Sequence, residues 1–261
     1  MINFIVCGLE DIFIKEGVKE VPEETIELIS RLQHENIKFA VATGLNYDSV
    51  KSLFGKVKND IIYICNDGGV IIYQDRIISK TPIDRLVCFD VVAEMEKEEF
   101  ADDIKLLFST DRGTVTNSGD IKFMEYLKCN GIVPEVIENI RVAQGDITKI
   151  TLCSEKGFDE KTYEHIYTKW AGKVNVNIAN SNQAFITGPL VTKGTAIALV
   201  QHVYDISEED TVVFGAGYSD IDMFEHSYYS YAMQSSDAQV KHAAKHIAEN
   251  VNTILEDIMR M

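Results

Sequence analysis

No run of the chain approaches the roughly eighteen consecutive apolar residues that a membrane-spanning helix needs, so none is expected. The N-terminus lacks a basic segment ahead of a longer apolar one, and no signal peptide is expected. Cysteine is sparse: Cys7, Cys65, Cys88, Cys129 and Cys153 are odd in number and scattered, with no CxxC and no Cys/His group at zinc spacing. Cys7, Cys65 and Cys153 lie in apolar runs and read as small buried hydrophobes. A reducing, cytoplasmic setting is the expectation. Positive charge is in deficit, Lys+Arg 25 against Asp+Glu 41 for a net −16. That balance speaks against a nucleic-acid or membrane partner, while a local basic pocket for phosphate stays compatible with it. The six histidines are dispersed, and His34, His165 and His226 read as ordinary helix or surface residues. Repeats and low-complexity tracts are absent.

What is present is an ordinary globular composition, 46% apolar over 261 residues. The chain opens MINFIVCGLEDIFI, in which Ile2, Phe4, Ile5, Val6 and Cys7 suit a strand buried on both faces. The run stops at Gly8-Leu9-Glu10-Asp11. Ligands of open α/β folds sit beyond the carboxyl ends of parallel strands, so chemistry is sought first at Gly8 to Ile12. Pro22, Glu23 and Glu24 open a helix that Ile26, Ile29 and Leu32 continue at helical spacing. Strands are expected at 37–42 and 61–65, with a helix over 47–54 between them. Asn66-Asp67-Gly68-Gly69 is a turn tolerant of positive φ. Residues 70–73 and 76–79 flank Gln74-Asp75 as a hairpin.

Composition shifts near Pro82. Over 84–187 the strand–loop–helix cadence is lost. Helices are expected at 90–97 and 156–170, and strands at 148–153, 173–178 and 183–187. After Gly188-Pro189 the alternation resumes. Helices are expected at 193–204, from about Asp220, at 237–249 and at 251–259, with strands at 211–214 and 230–233. The pattern predicts an α/β core made of 1–83 and 188–261, split by an inserted α+β domain over 84–187. Folds of that kind bind a small ligand between core and insert.

Four segments of the core fall just past strand ends or open helices. They are Gly8 to Ile12, Ala42-Thr43-Gly44, Thr192-Lys193-Gly194, and Gly215 to Asp220. A threonine hydroxyl, a lysine ammonium and backbone N–H groups beside glycines make an anion cradle, and phosphate suits it best. Each piece alone is weak, since a lone Thr-Gly after a strand is more often a turn.

In their order, these segments resemble the haloacid dehalogenase (HAD) superfamily, and within it the Cof-type hydrolases with a type IIB cap, over nearly the whole chain. Val21-Pro22-Glu23-Glu24-Thr25 and then Phe39-Ala40-Val41-Ala42-Thr43-Gly44 are similar to that family's first helix and threonine motif. Ile64 to Gly69 is similar to its "xxNGA" segment and Val191 to Ala196 to its lysine motif. Gly215 to Met223 resembles "GDGxNDxxM", and Tyr231-Ala232-Met233 the "VAM" strand after it. The resemblance implies a HAD-like Rossmannoid core with a parallel sheet, and an inserted α+β cap that selects substrate. It implies phosphate-binding roles for Leu9, Asp11, Thr43, Gly44 and Lys193, and a metal role for Asp220. Arg112, Thr114 and Lys149 are the candidates to face inward from the cap.

Departures from the pattern are concentrated in the catalytic motifs. Family members carry DxDGT after the first strand, the first Asp attacking phosphorus and the second acting as general acid and base. Gly8 stands at the nucleophile position and Glu10 at the acid position, and Asp11-Ile12 replaces Gly-Thr. Taking Glu10 or Asp11 as nucleophile puts Ile12 or Phe13 at the acid position. The acidic metal ligand of the last motif is Ala216 and the Asn is Ser219, so Asp220 alone keeps its acid. Glycine supplies no in-line carboxylate, and Mg²⁺ takes one or two carboxylates beside phosphate and water.

The expectation is therefore a HAD-like phosphatase homologue without normal phosphatase activity, a pseudoenzyme that keeps an anion pocket between core and cap. It needs no cofactor, and its ligand is a small phosphorylated metabolite or another anion. One alternative is an active hydrolase of sugar or nucleotide phosphates with an unorthodox Mg²⁺ site using Glu10 or Asp11. Another is a non-catalytic interaction protein. At the site itself two outcomes stand open: a less neutralised Lys193 that binds an anion, or a Glu10–Lys193 pair that closes the pocket.

Overall fold

The computed structural model describes residues 2–14, 20–129 and 131–260, with the side chains of 178–180 outside the description. Met1, the first residue of the opening stretch, also lies outside the described residues. The first segment holds β1 (Phe4–Gly8), α1 (Glu23–His34), β2 (Lys38–Ala42), α2 (Tyr47–Val50), β3 (Ile61–Cys65), β4 (Val70–Tyr73) and β5 (Arg76–Lys80). The insert holds α3 (Arg85–Met95), β6 (Ile104–Thr110), β7 (Gly113–Thr116), α4 (Ile121–Cys129), β8 (Glu135–Val136), β9 (Ile147–Ser154), α5 (Glu160–Lys169), β10 (Asn175–Asn180) and β11 (Gln183–Thr187). The last segment holds α6 (Lys193–Tyr204), β12 (Thr211–Gly215), β13 (Tyr229–Met233), α7 (Ala238–Ala243), β14 (His246–Ala248) and α8 (Val251–Arg260).

The α/β class with a parallel sheet holds. Two compact units result, one of Met1–Ser79 with Thr192–Met261 and one of Lys80–Val191. This division lies a few residues outside the expected bounds at 83/84 and 187/188, because the flanking residues pack with the insert. Ile83 sits in the insert's core and its N–H donates to Ile147 O at 2.8 Å. Val191 O accepts from Asn175 Nδ2 at 3.1 Å and from Thr187 Oγ1 at 3.3 Å.

In the first unit the sheet order is β14-β13-β12-β1-β2-β3-β4-β5. Pairing is parallel from β14 to β3, and β4 runs antiparallel to β3. Central β1 is fully buried. Its alternation explains the unbroken apolar run. Ile5 and Cys7 join Ile29, Leu32 and Leu255 on one face, while Phe4 and Val6 join Ile197, Val200 and Met223 on the other. Parallel pairing carries Gly8, Ala42, Ile64 and Gly215 to the same edge of the sheet.

The insert is a six-stranded sheet, β10-β11-β9-β6-β7-β8, antiparallel except for β7 with β8. Phe108, Ile150 and Leu152 pack with Val91 of α3, Ile166 of α5 and Trp170 on one face. Phe123 and Leu127 of α4 pack with Leu107 and Cys153 on the other. Of the proposed inward-facing residues, Lys149 is buried with its ammonium 3.6 Å from the centre of the Phe185 ring, and Thr114 is buried. Arg112 is exposed and donates to Gln144 Oε1 at 3.2 Å.

Three expected helices change. That over 47–54 ends early, because the chain passes from α2 into a 3₁₀ helix, Lys51–Val57, broken where Gly55 takes φ 46°. The helix placed at 237–249 is two elements. Ala244 turns extended (φ −87°, ψ 153°), and residues 246–248 pair in parallel with β13. That edge pairing stacks His246 against Tyr231, ring centres 5.0 Å apart, and buries Ala248. The helix from Asp220 is a 3₁₀ helix, Tyr218–His226. The hairpin forms, with Gln74 and Asp75 at φ 51° and 60°, the left-handed pair that a two-residue turn requires.

Among the described residues no helix is long and apolar enough to cross a membrane. Cys7, Cys65, Cys88 and Cys153 are buried and Cys129 is exposed, all of them free. Burial pushes the thiols of Cys88 and Cys153 up to about 12 and about 11, which leaves them inert.

Candidate functional site

The turn after β1 is fixed by its own backbone. Leu9 N–H extends the ladder to Ala42 O at 2.9 Å, and Phe13 and Ile14 N–H groups fold back onto Leu9 O at 3.1 and 3.2 Å. Asp11 takes φ 62° and donates its N–H to Ile14 O at 3.0 Å. Leu9 and Asp11 are thus not brought to the cradle as expected. Their N–H groups serve the sheet and the turn, and the Asp11 side chain is exposed.

Thr43 is fully buried at the end of β2, its N–H on Ile64 O at 2.9 Å and its C=O accepting from Asp67 N–H at 3.0 Å. Its hydroxyl donates to Glu10 Oε1, and the Gly44 N–H donates to the same oxygen at 3.0 Å. Glu10 Oε2 faces Lys193 Nζ at 3.7 Å.

Lys193 is set by the first turn of α6. Thr192 caps that helix, accepting from Thr195 N–H at 3.0 Å while Thr195 Oγ1 accepts from Thr192 N–H at 3.0 Å. The turn after β3 fits closely against it. Asn66, Asp67 and Gly68 are all left-handed, and a Cβ on Gly68 (φ 99°) would lie 2.2 Å from Thr192 O. Gly68→Ala combines backbone strain with a backbone clash and is expected to cost about 2 kcal/mol or more, read as a lower denaturation midpoint.

The Lys193 ammonium donates to Asp220 Oδ1 at 2.7 Å and to Ser219 Oγ at 3.2 Å. Side-chain exposure of this pair is 3% and 4%. Burial pushes the Lys193 pKa down, but the charges of Asp220, Glu10 and Asp67 more than reverse this and hold it well above the ordinary lysine range. Lys193 is therefore protonated and neutralised, where the sequence suggested a less neutralised cation. Asp220 Oδ2 accepts from the N–H groups of Ala216 at 2.9 Å and Gly217 at 3.1 Å.

Asp220 also fills the space beside Gly8. A Cβ on Gly8 would lie 2.8 Å from Asp220 Oδ2 and 3.2 Å from its Cγ. The direction in which a residue at position 8 would aim a side chain is taken by another residue's carboxylate. This donor set does not fit Mg²⁺. Gly8 and Ala216 bring no carboxylate, and both Asp220 oxygens are engaged, one of them by an ammonium.

A second cluster lies in the insert. The ligand-type atoms of Glu94, Glu99 and His165 all fall within 4.8 Å of one another. Glu94 is already satisfied, with Lys97 at 2.8 Å, Lys169 at 2.6 Å and His165 at 3.0 Å. Burial pushes Glu94 up, but hydrogen bonds from Lys169, Lys97 and His165 bring it down to about 2. A carboxyl lowered on folding stabilises above its unfolded value, 4.5, and that contribution fades as pH falls through about 2. Glu94→Gln is expected to cost about 1–2 kcal/mol at neutral pH, the partners' exposure discounting the full shift. The gap from wild type narrows during acid titration, as followed by circular dichroism.

The haloacid dehalogenase-like hydrolase model matches residues 6–254. The Escherichia coli K12 5-amino-6-(5-phospho-D-ribitylamino)uracil phosphatase YbjI is 20% identical over 262 residues, covering 96% of this chain and 92% of its own. A Streptococcus mutans UA159 structure superposes with TM-score 0.87 at 17% identity and covers all of both chains. An HAD subclass IIB sugar phosphatase does so with TM-score 0.82 at 17% identity, over 99% of this chain and 100% of that one. The family match spans nearly the whole chain, and the chain belongs to the haloacid dehalogenase-like hydrolases.

Proposed function

We propose that this protein recognises a phosphorylated small molecule without hydrolysing it through an aspartyl-phosphate. The observation that carries the reading is the end of β1. Gly8 has no side chain, and Asp220 stands where one would be. Loss of an attacking group typically costs about 10⁴ to 10⁶ in rate. Supporting the recognition half are the Thr43 hydroxyl, the Gly44 N–H and the Lys193 ammonium, which converge on one carboxylate in the manner of anion donors. The E. coli relative is named for a phosphorylated small molecule. Its naming sets the ligand class to try first.

The test is turnover of p-nitrophenyl phosphate and a panel of sugar and nucleotide phosphates with Mg²⁺. No rate above buffer is expected. Turnover by the wild type that Glu10→Gln abolishes and Ala216 substitution leaves unchanged would establish an unorthodox hydrolase instead.

A further inference from the structure

Glu10 stands where the family places its acid and base, yet its carboxylate is held as a bound oxyanion is held. One oxygen takes the Thr43 hydroxyl and the Gly44 N–H, and the other faces the Lys193 ammonium at 3.7 Å. These are groups that would grip a phosphate: Thr43 and Gly44 donate to Glu10, and Lys193, which donates to Asp220 and Ser219, lies within ion-pair range of it. A carboxylate and a phosphate monoester both satisfy such donors, the phosphate with one more oxygen.

We propose that Glu10 is a built-in occupant of the anion seat, and that a phosphate group binds there only by displacing it. The inference rests on the phosphate-recognising reading above. Displacement is sterically open, because the Glu10 side chain is 41% exposed although Oε2 itself is buried. Oε2 has no hydrogen-bond partner among the described residues. Leaving forfeits two hydrogen bonds, which the incoming phosphate remakes. Lys193 keeps Asp220 throughout, so the seat stays assembled when Glu10 departs. Apparent affinity is the intrinsic affinity multiplied by the fraction of molecules in which Glu10 is out. A seat with its own occupant admits only ligands that bring enough further contacts to pay this cost, so free phosphate is rejected while a larger phosphate ester is accepted.

Isothermal titration with inorganic phosphate tests this on the full chain at one pH and ionic strength, with circular dichroism confirming each fold. Glu10→Ala is expected to bind at least about tenfold more tightly than wild type. Adding Thr43→Val should remove the gain. Glu10→Gln keeps an acceptor oxygen in the seat and should gain less than Glu10→Ala. Equal gains in the two variants would assign the effect to charge rather than occupancy and overturn the inference. Wild type binding as tightly as Glu10→Ala would also overturn it and leave the phosphate-recognising reading standing. No binding by a folded Glu10→Ala would overturn both.

Discussion

Lys193→Met is expected to lower the unfolding free energy of the first unit by about 3–5 kcal/mol, the range for removing one partner of a buried ion pair. The substitution leaves Asp220, 4% exposed, without its ammonium, and takes away the cation that Glu10 and Asp67 also face. Two backbone N–H groups remain on Asp220, so the loss should fall short of that for a naked buried charge. The double variant Lys193→Met with Asp220→Leu should recover part of it, because an apolar pair of similar volume removes the stranded charge. Lys193 titrates higher in the folded than in the unfolded chain, so its contribution is complete below the unfolded value, 10.5, and erodes only above it. The gap between wild type and variant should hold steady from about pH 6 to about pH 9 and shrink beyond. Denaturant unfolding, with the two units followed as separate transitions, measures both effects. A loss under about 1 kcal/mol would mean that the network is screened like a surface pair.

The joint substitution Gly8→Asp, Asp11→Gly, Ile12→Thr and Ala216→Asp is expected to raise Mg²⁺-dependent hydrolysis of p-nitrophenyl phosphate at least about 10³-fold over wild type. It supplies two carboxylates of the kind the metal takes, and Asp11→Gly relieves a residue held at φ 62°. Gly8→Asp alone should give no turnover. Its Cβ arrives 2.8 Å from Asp220 Oδ2, so one carboxylate must displace another that two N–H groups and Lys193 hold in place. Overpacking of this kind typically costs about 1–3 kcal/mol. Adding Lys193→Ala to the four should abolish the gain. A folded quadruple variant no faster than wild type would show that the scaffold lacks more than these four side chains.

The parallel core was legible because its central strands β1, β2, β3 and β12 are buried almost throughout and read as apolar runs. The helix α6 and the strand β11 have the bounds that periodicity predicts. The insert was less legible. Strands β6 and β7 and helix α4 carry no clear pattern, since an antiparallel sheet interleaves buried threonines and serines such as Ser109, Thr114 and Thr116 with its apolar residues. The strand β14 lies inside the helix expected at 237–249, because three residues at a sheet edge carry little pattern of their own and partner β13 decides them. Thr43 and Lys193 could be placed together from motif order alone. The directions of the bonds could not. Nothing in the sequence shows that Leu9 and Asp11 spend their N–H groups on the turn, or that Asp220 leans into the space beside Gly8.

That lean has a consequence for how the sequence can change. From the present chain, a lone Gly8→Asp crowds a fixed carboxylate, and a lone Ala216→Asp adds a further acid to the network in which Asp220, Glu10 and Asp67 surround Lys193. Each single step toward a paired-carboxylate site is therefore expected to lower stability. A search that accepts one substitution at a time is therefore expected to turn back at either position. A library that varies positions 8, 11, 12 and 216 together, with 220 free to respond, is the one expected to cross that barrier.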